Sequence, residues 1–358
     1  MVSKAPRTSN IELLRIVAML MIVNLHSFFA PEAAVAWTDV NAAYVLDFFR
    51  EALCIPAVNI FIVISGYYSI RWKIKSFFSL VFQTYFFVII IYFLTLLWGN
   101  PFNIKTFLLY LNCVPYTYWF IAAYVGLYLL SPLLNAFADK CSAKQLLVFL
   151  VIYYLFQFYY QLMFSNYFNA GYSILSFFGL YLIGRYINKI HQENQGRTHS
   201  AKFYFSLYLI ASVCITINLL FMQSRGMNVK DDHFLGLAYN NPLVIVQAVS
   251  LFLSFSKLKI QSKFINFCGS SILAVYLVHM HPQLKYDYYI EYCSSLYALS
   301  YAEHLLVLSV LFVVLFVVSI LTDKVRLWIY NFLYEFLRKI CPKKVKRALA
   351  HVENSCIC

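Results

Sequence analysis

One apolar run near the start of the chain carries Glu12, Arg15, Asn24 and His26. Ionisable side chains inside such a run are expensive to bury and mark a candidate site. Arg15 and His26 are eleven positions apart, which at 100° per residue returns to within about 20° of the same helix face. Glu12 stands three residues before Arg15 on that stripe. The helical rise sets Arg15 and His26 about 16 Å apart, with Arg15 near one boundary and His26 past the midplane. A neutral imidazole there can take a proton from a hydroxyl or carry a transferred group. A guanidinium offers two-point contacts to phosphate. Two plainer readings stand beside these: Arg15 snorkels to lipid phosphates, and His26 is a packed histidine with one hydrogen bond.

Two further segments hold polar groups. Asn59–Tyr68 ends Ser65-Gly66-Tyr67-Tyr68 and runs into Arg71, Lys73 and Lys75. A small-residue pair in a membrane helix lets another backbone or a ligand approach closely, and the basic trio can hold phosphates or simply orient the loop. Ser270–Pro282 contains His279, at the depth inferred for His26, and His281, expected at the outer surface beside Pro282. Two histidines at one depth on different helices can line one polar cavity.

The elements that must position these residues are membrane helices. The 358 residues are 62% hydrophobic and 12% charged, with a mean hydropathy of +0.70. Soluble domains keep about a quarter of their residues charged, so the solvent for most of this chain is lipid. At about 20 apolar residues per crossing, spans are expected at 11–29, 52–70, 77–98, 119–137, 146–164, 172–187, 203–222, 242–256, 265–283 and 304–322. The fold class is therefore an all-α polytopic membrane protein of about ten transmembrane helices, with both termini cytoplasmic. Residues 1–324 form the transmembrane domain, and 325–358 a basic amphipathic tail on the inner leaflet.

Charge sets the orientation. With the N-terminus inside, 22 basic residues fall in cytoplasmic segments and five outside (Arg50, Lys105, Arg225, Lys230 and Lys285), as the positive-inside rule requires. The outer segments are acidic, with Glu32, Asp39, Asp47, Glu51, Asp231, Asp232, Asp287, Glu291 and Glu303. The net charge of +13 thus serves topology and anionic lipid, and nucleic acid is not an expected partner. The nine cysteines show no CxxC spacing, so metal binding and redox chemistry are not expected. Cys113 and Cys293 fall in outer segments where they could pair, with free thiols the expected state. No cleavable signal peptide is expected, because the first apolar run carries Glu12, Arg15, Asn24 and His26.

Four blocks of this sequence resemble the membrane acyltransferase 3 family. Ile11-Glu12-Leu13-Leu14-Arg15 through His26 is similar to its Arg-X10-His first helix. Asn59–Tyr68 is similar to its Phe-rich run ending Ser-Gly-Tyr/Phe. Tyr118-Trp119-Phe120 through Ser131-Pro132-Leu133-Leu134-Asn135 is similar to its third block, and Ser271–His279 to its late Ser…Tyr-Leu-X-His helix. The blocks occur in the family's order, and ten helices agree with its usual core. The resemblance implies transfer of an acyl group, commonly acetyl, from cytoplasmic acyl-CoA to a hydroxyl of a cell-envelope glycan or other envelope acceptor. It makes His26 the catalytic histidine and Arg15 a donor-supporting residue. The family's Arg-X-X-Arg pair is absent, since Ile74 stands three positions after Arg71, leaving Lys73 and Lys75 as the nearest substitutes. Glu12, Ser65, Tyr67, Trp119 and His279 are the remaining candidates for lining the site.

The expected enzyme is a multi-pass protein of a bacterial cell membrane, with acyl-CoA as co-substrate, no other cofactor and no metal. Its partners would be the donor, the acceptor, the bilayer and polysaccharide-synthesis proteins. The physical picture agrees: the polyanionic end of CoA suits the basic inner face, and its thin pantetheine arm can thread between helices toward His26. His279 or Tyr67 would donate to the developing oxyanion. Direct transfer and an acyl-histidine both remain open. The rival reading is a transporter or flippase for a glycan or lipid-linked sugar, and a scaffold is a third. The absence of paired half-sequences counts against the transporter.

Overall fold

The computed structural model describes residues 8–27, 40–112, 117–164, 168–193, 199–227, 236–340 and 342. The regular secondary structure of the described residues is helical, with no strand among them. Cys113, the charges at Lys4, Arg7, Glu32, Asp39, Arg197, Lys230, Asp231 and Asp232, and the basic cluster beyond Pro342 lie outside them. Cys293 is a buried thiol in no disulfide.

Most helices follow the apolar runs. α1 is Ser9–Ser27, α2 Ala42–Cys54, α3 Ala57–Tyr67, α4 Ile74–Leu97, α5 Ile104–Asn112, α6 Trp119–Lys140 and α7 Ala143–Met163. α8 is Ile174–Glu193, α9 Ala201–Ser224, α10 Pro242–Ser256, α11 Lys263–Gly269, α12 Leu273–His279 and α13 Tyr301–Ile340. Seven helices among the described residues are long and apolar enough to cross a membrane, counting α2 and α3 as one 26-residue unit. α10, at 15 residues, spans 242–256 as expected but is short for a crossing. α8 extends beyond the expected 172–187 and carries Arg185, Lys189 and His191 in its second half.

Three departures from the expected spans have local causes. The second begins ten residues earlier than 52 and is kinked where Pro56, lacking an N–H, interrupts the backbone ladder between α2 and α3. The ninth is not one helix: α11 and α12 are separated by a turn at 270–272, with i→i+3 bonds such as Ser271 N–H to Cys268 O at 3.0 Å. It ends at His279, and His281, expected at the surface, is fully buried with its ring against Tyr110. The last span runs as a single 40-residue helix through residues 324 and 325. No proline or glycine stands there to break it.

The α3–α8 crossing explains Ser65-Gly66. A Cβ at Gly66 would overlap the Tyr181 carbonyl, and one at Gly184 would overlap the Val63 carbonyl. The close approach is therefore by another backbone, which buries α3 almost completely. By contrast, α7 and α13 keep long apolar faces exposed, including Ile152, Phe156, Tyr159, Val313 and Val317. Those faces suit lipid.

One face of the bundle collects the basic segments. Thr8 Oγ1 and Tyr68 Oη are 3.2 Å apart, Asn10 donates to Phe255 O at 3.0 Å, and Ser9 Oγ accepts from Ser262 N–H at 2.9 Å. Arg185 bonds both Ser69 and Asp139, and Lys324 Nζ donates to Ser270 Oγ at 2.7 Å. The loops carrying Arg71–Lys75, Lys140, Arg185–Lys189 and Lys257–Lys263 thus meet near the start of α1. At the opposite end, Thr95 donates to Gln283 at 2.9 Å and Asn100 to Tyr288 at 3.3 Å.

Candidate active site

Glu12 and Arg15, one helical turn apart on α1, form an ion pair at 2.9 Å. Glu12 is buried, with Gly269 at the end of α11 packed on it: a Cβ there would come 2.5 Å from Glu12 Oε2. The Arg15 side chain keeps about a third of its surface exposed, so its remaining donors are available at the basic face.

That face includes a rigid loop. The Tyr181 hydroxyl accepts from Ile70 N–H at 2.9 Å and donates to Asn135 at 2.7 Å, while Asn135 donates to Ile70 O at 3.0 Å. Tyr128 accepts from Lys73 N–H at 2.8 Å. The Arg71 and Lys73 side chains are consequently presented outward from a fixed backbone. Lys75 differs: its ammonium lies 4.0 Å from Glu335 and over the Tyr334 ring. It is engaged with the far end of α13, a contact between elements 260 residues apart that spacing could not reveal.

His26 occupies the last turn of α1, and His279 the end of α12. The two rings meet, with His26 Nδ1 and His279 Nε2 2.9 Å apart. His279 Nδ1 donates to Val275 O at 2.6 Å. Tyr289 packs on the His279 ring, and its hydroxyl donates to Val23 O at 2.9 Å, which ties the pair to α1.

Beside His26 lies a cavity of about 70 Å³. Its walls include Trp119, Phe120, Tyr172, Tyr239 and Tyr276, and the remaining lining is apolar. Tyr172 and Tyr239 come from two loops joined by a Tyr239 N–H to Ala170 O bond at 2.9 Å. Gly171, at φ 98°, makes that junction possible, because a side chain there would strike Tyr239. Trp119 packs on both tyrosines, tilted against Tyr172 at 4.6 Å and stacked on Tyr239 at 5.9 Å between ring centres.

Tyr276, an uncharged residue, also lines this cavity. Its hydroxyl is buried and donates to no acceptor among the described residues, and the Phe120 N–H facing it can only donate. Its place three residues before His279, one turn along the same face, was the available signal.

The other expected lining residues lie elsewhere. Ser65 donates to Phe61 O at 2.8 Å and sits 3.3 Å from the Tyr124 hydroxyl. Tyr67 is 3.2 Å from His191 and packs on Phe252. Glu12 belongs to the basic end of the bundle. The structure therefore places Trp119 on the cavity beside His26 and His279 against the His26 ring, and leaves Ser65, Tyr67 and Glu12 outside that cavity.

A helical membrane protein with a paired histidine beside an aromatic cavity, and a basic face at the other end of the same helix, has the outline of a membrane group-transfer enzyme. The family described as an acyltransferase domain matches residues 8–323, and the chain belongs to this acyltransferase 3 family. No curated protein and no solved structure matched the chain. It is a multi-pass membrane acyltransferase.

Proposed function

We propose that this acyltransferase moves a small uncharged acyl group, acetyl foremost, from cytoplasmic acyl-CoA to a hydroxyl of a cell-envelope glycan. The observation that carries this reading is His26 on the wall of the aromatic cavity, eleven residues along α1 from the Arg15 face. The phosphates of CoA would meet Arg15, Arg71 and Lys73, and the pantetheine arm would reach inward between helices. In the cavity the acceptor oxygen attacks the thioester carbonyl carbon as His26 takes its proton. The oxyanion is met by the unspent Tyr276 hydroxyl, in preference to Tyr67 or His279, whose polar atoms are already engaged. The C–S bond then breaks, and the departing thiolate recovers the proton from His26. No metal or further cofactor takes part.

The cavity lining favours a neutral acyl group. No Lys or Arg is among the residues that line it, so the carboxylate of a succinyl group would enter a mostly aromatic wall with no cation in contact, which is unfavourable. Trp119, Tyr172 and Tyr239 add flat faces and hydroxyls suited to a glycan.

The test uses purified protein with acetyl-CoA and envelope glycan. Acetyl-CoA should be consumed and the glycan should gain acetyl groups by mass spectrometry; intact acetyl-CoA would end this reading. Arg15→Ala should weaken donor binding by about 2–5 kcal/mol, with Arg15→Lys recovering part of the affinity. Unchanged affinity in folded Arg15→Ala protein would return Arg15 to lipid phosphates.

Ten membrane segments, counting α8, the short α10 and the broken α11–α12 as crossings, put both termini in the cytoplasm of a bacterial cell membrane. The gathering of basic loops on one face supports this arrangement. A cysteine introduced at residue 74 or 260 should escape a membrane-impermeant thiol reagent in intact cells in which the native thiols have been replaced. Efficient labelling at either position would overturn the sidedness.

A further inference from the structure

We infer that His279 is a positioning residue that sets the tautomer of His26, leaving His26 Nε2 as the bare, basic nitrogen. The inference rests on His26 being the base of the proposed transfer. It follows from three groups in a row. The Val275 carbonyl can only accept a hydrogen bond, so the 2.6 Å contact requires the proton of His279 to be on Nδ1. A neutral His279 then has no proton on Nε2, and that nitrogen can only accept. The 2.9 Å contact to His26 therefore requires His26 to carry its own proton on Nδ1. One proton arrangement satisfies every bond when both rings are neutral.

The consequence falls on the remaining nitrogen. His26 Nε2 makes no hydrogen bond to a described residue, and His26 lines the cavity. It is the nitrogen that accepts the acceptor hydroxyl's proton as the new C–O bond forms and the C–S bond breaks. During that step the imidazolium keeps its Nδ1–H bond to His279, which holds the ring in place and disperses the charge. His279 thus does for His26 what a buried carboxylate does for the histidine of a hydrolytic triad, but without adding a permanent charge to a lipid-surrounded site. The backbone bond from α12 is essential to the arrangement. Were His279 Nδ1 without Val275, the ring could present either tautomer to His26.

Two measurements test this. Histidine ¹⁵N spectra of the wild-type protein, assigned by His26→Gln and His279→Gln, distinguish protonated from bare ring nitrogens. Both residues should show protonated Nδ1 and bare Nε2; a protonated Nε2 on neutral His26 overturns the inference without any assay of activity. In the transfer assay, His279→Leu should lower kcat at least about thirtyfold with the KM for acyl-CoA unchanged. His279→Gln, which can offer an oxygen where Nε2 stood, should recover a good part of the loss. Combining His279→Leu with His26→Ala should lower kcat no further than His26→Ala alone, because the two act as one unit. Equal rates in His279→Leu and wild type, or a further drop in the double variant, would remove the positioning role while leaving His26 as base. Loss of transfer only in proportion to a fall in melting midpoint would make His279 a packing residue. A fully active His26→Ala would instead sink the reading on which the inference depends.

Discussion

His26→Ala is expected to lower the rate of acyl transfer about a hundredfold to ten-thousandfold, the usual span for a lost general base, with acyl-CoA affinity near wild type. The separation of effects follows from geometry. His26 stands in the last turn of α1, and the Glu12–Arg15 pair in its first two, about 16 Å away by helical rise. The nucleotide contacts and the reacting carbonyl therefore fall at different ends of one helix. The fold should tolerate the change at a modest cost, since His26 already borders a cavity that alanine enlarges, although the buried His279 Nε2 loses its donor. Single-turnover transfer and a CoA titration on the same preparation check the expectation. Near wild-type turnover would remove His26 from the chemistry. A weakened Kd with normal turnover would place it at the donor site instead.

The second large effect concerns stability. Asp323 and Arg326, one turn apart on α13, form an ion pair at 2.6 Å with almost no exposed side-chain surface. Gln83 of α4 donates to Asp323 at 2.7 Å, and Arg326 also reaches Ser79 at 3.3 Å. These contacts, with the Tyr330 hydroxyl donating to Lys75 O at 2.8 Å, fasten the long α13 to α4. Asp323→Ala would leave the Arg326 guanidinium buried without its counter-charge, a loss of about 3–5 kcal/mol. The melting midpoint in detergent should fall markedly. The double variant Asp323→Leu/Arg326→Met should regain most of it, because replacing both members removes the buried charge altogether. A double variant no more stable than Asp323→Ala would show that the pair contributes net stability beyond mutual neutralisation.

Sequence alone determined much about this protein. Apolar content and scarce charge made lipid the solvent, and the spacing of apolar runs located most helices, α10 to the residue. Helix periodicity placed Glu12, Arg15 and His26 along one stripe, a local property that the 3.6-residue turn makes readable. The order of four short blocks pointed to the family that the comparison then showed. Local chemistry went further in hindsight: Pro56 marks the kink in the second span.

Tertiary structure decided the rest. Whether His279 faces His26 depends on how α1 and α12 are rotated about their axes and where the ninth span breaks, and 253 residues of intervening chain leave both free. The same holds for Tyr276, for the loops that join Tyr172 to Tyr239, and for Lys75 turning to Glu335 instead of the Arg71 loop. In lipid, an apolar side chain gains little by choosing a neighbouring helix over an acyl chain. Hydrophobic pattern therefore says that a helix spans, but weakly which face meets which partner. Close backbone approach at Gly66 and Gly184, and buried polar contacts such as His26–His279 and Gln83–Asp323, settle that choice. Both become visible only when distant segments are brought together.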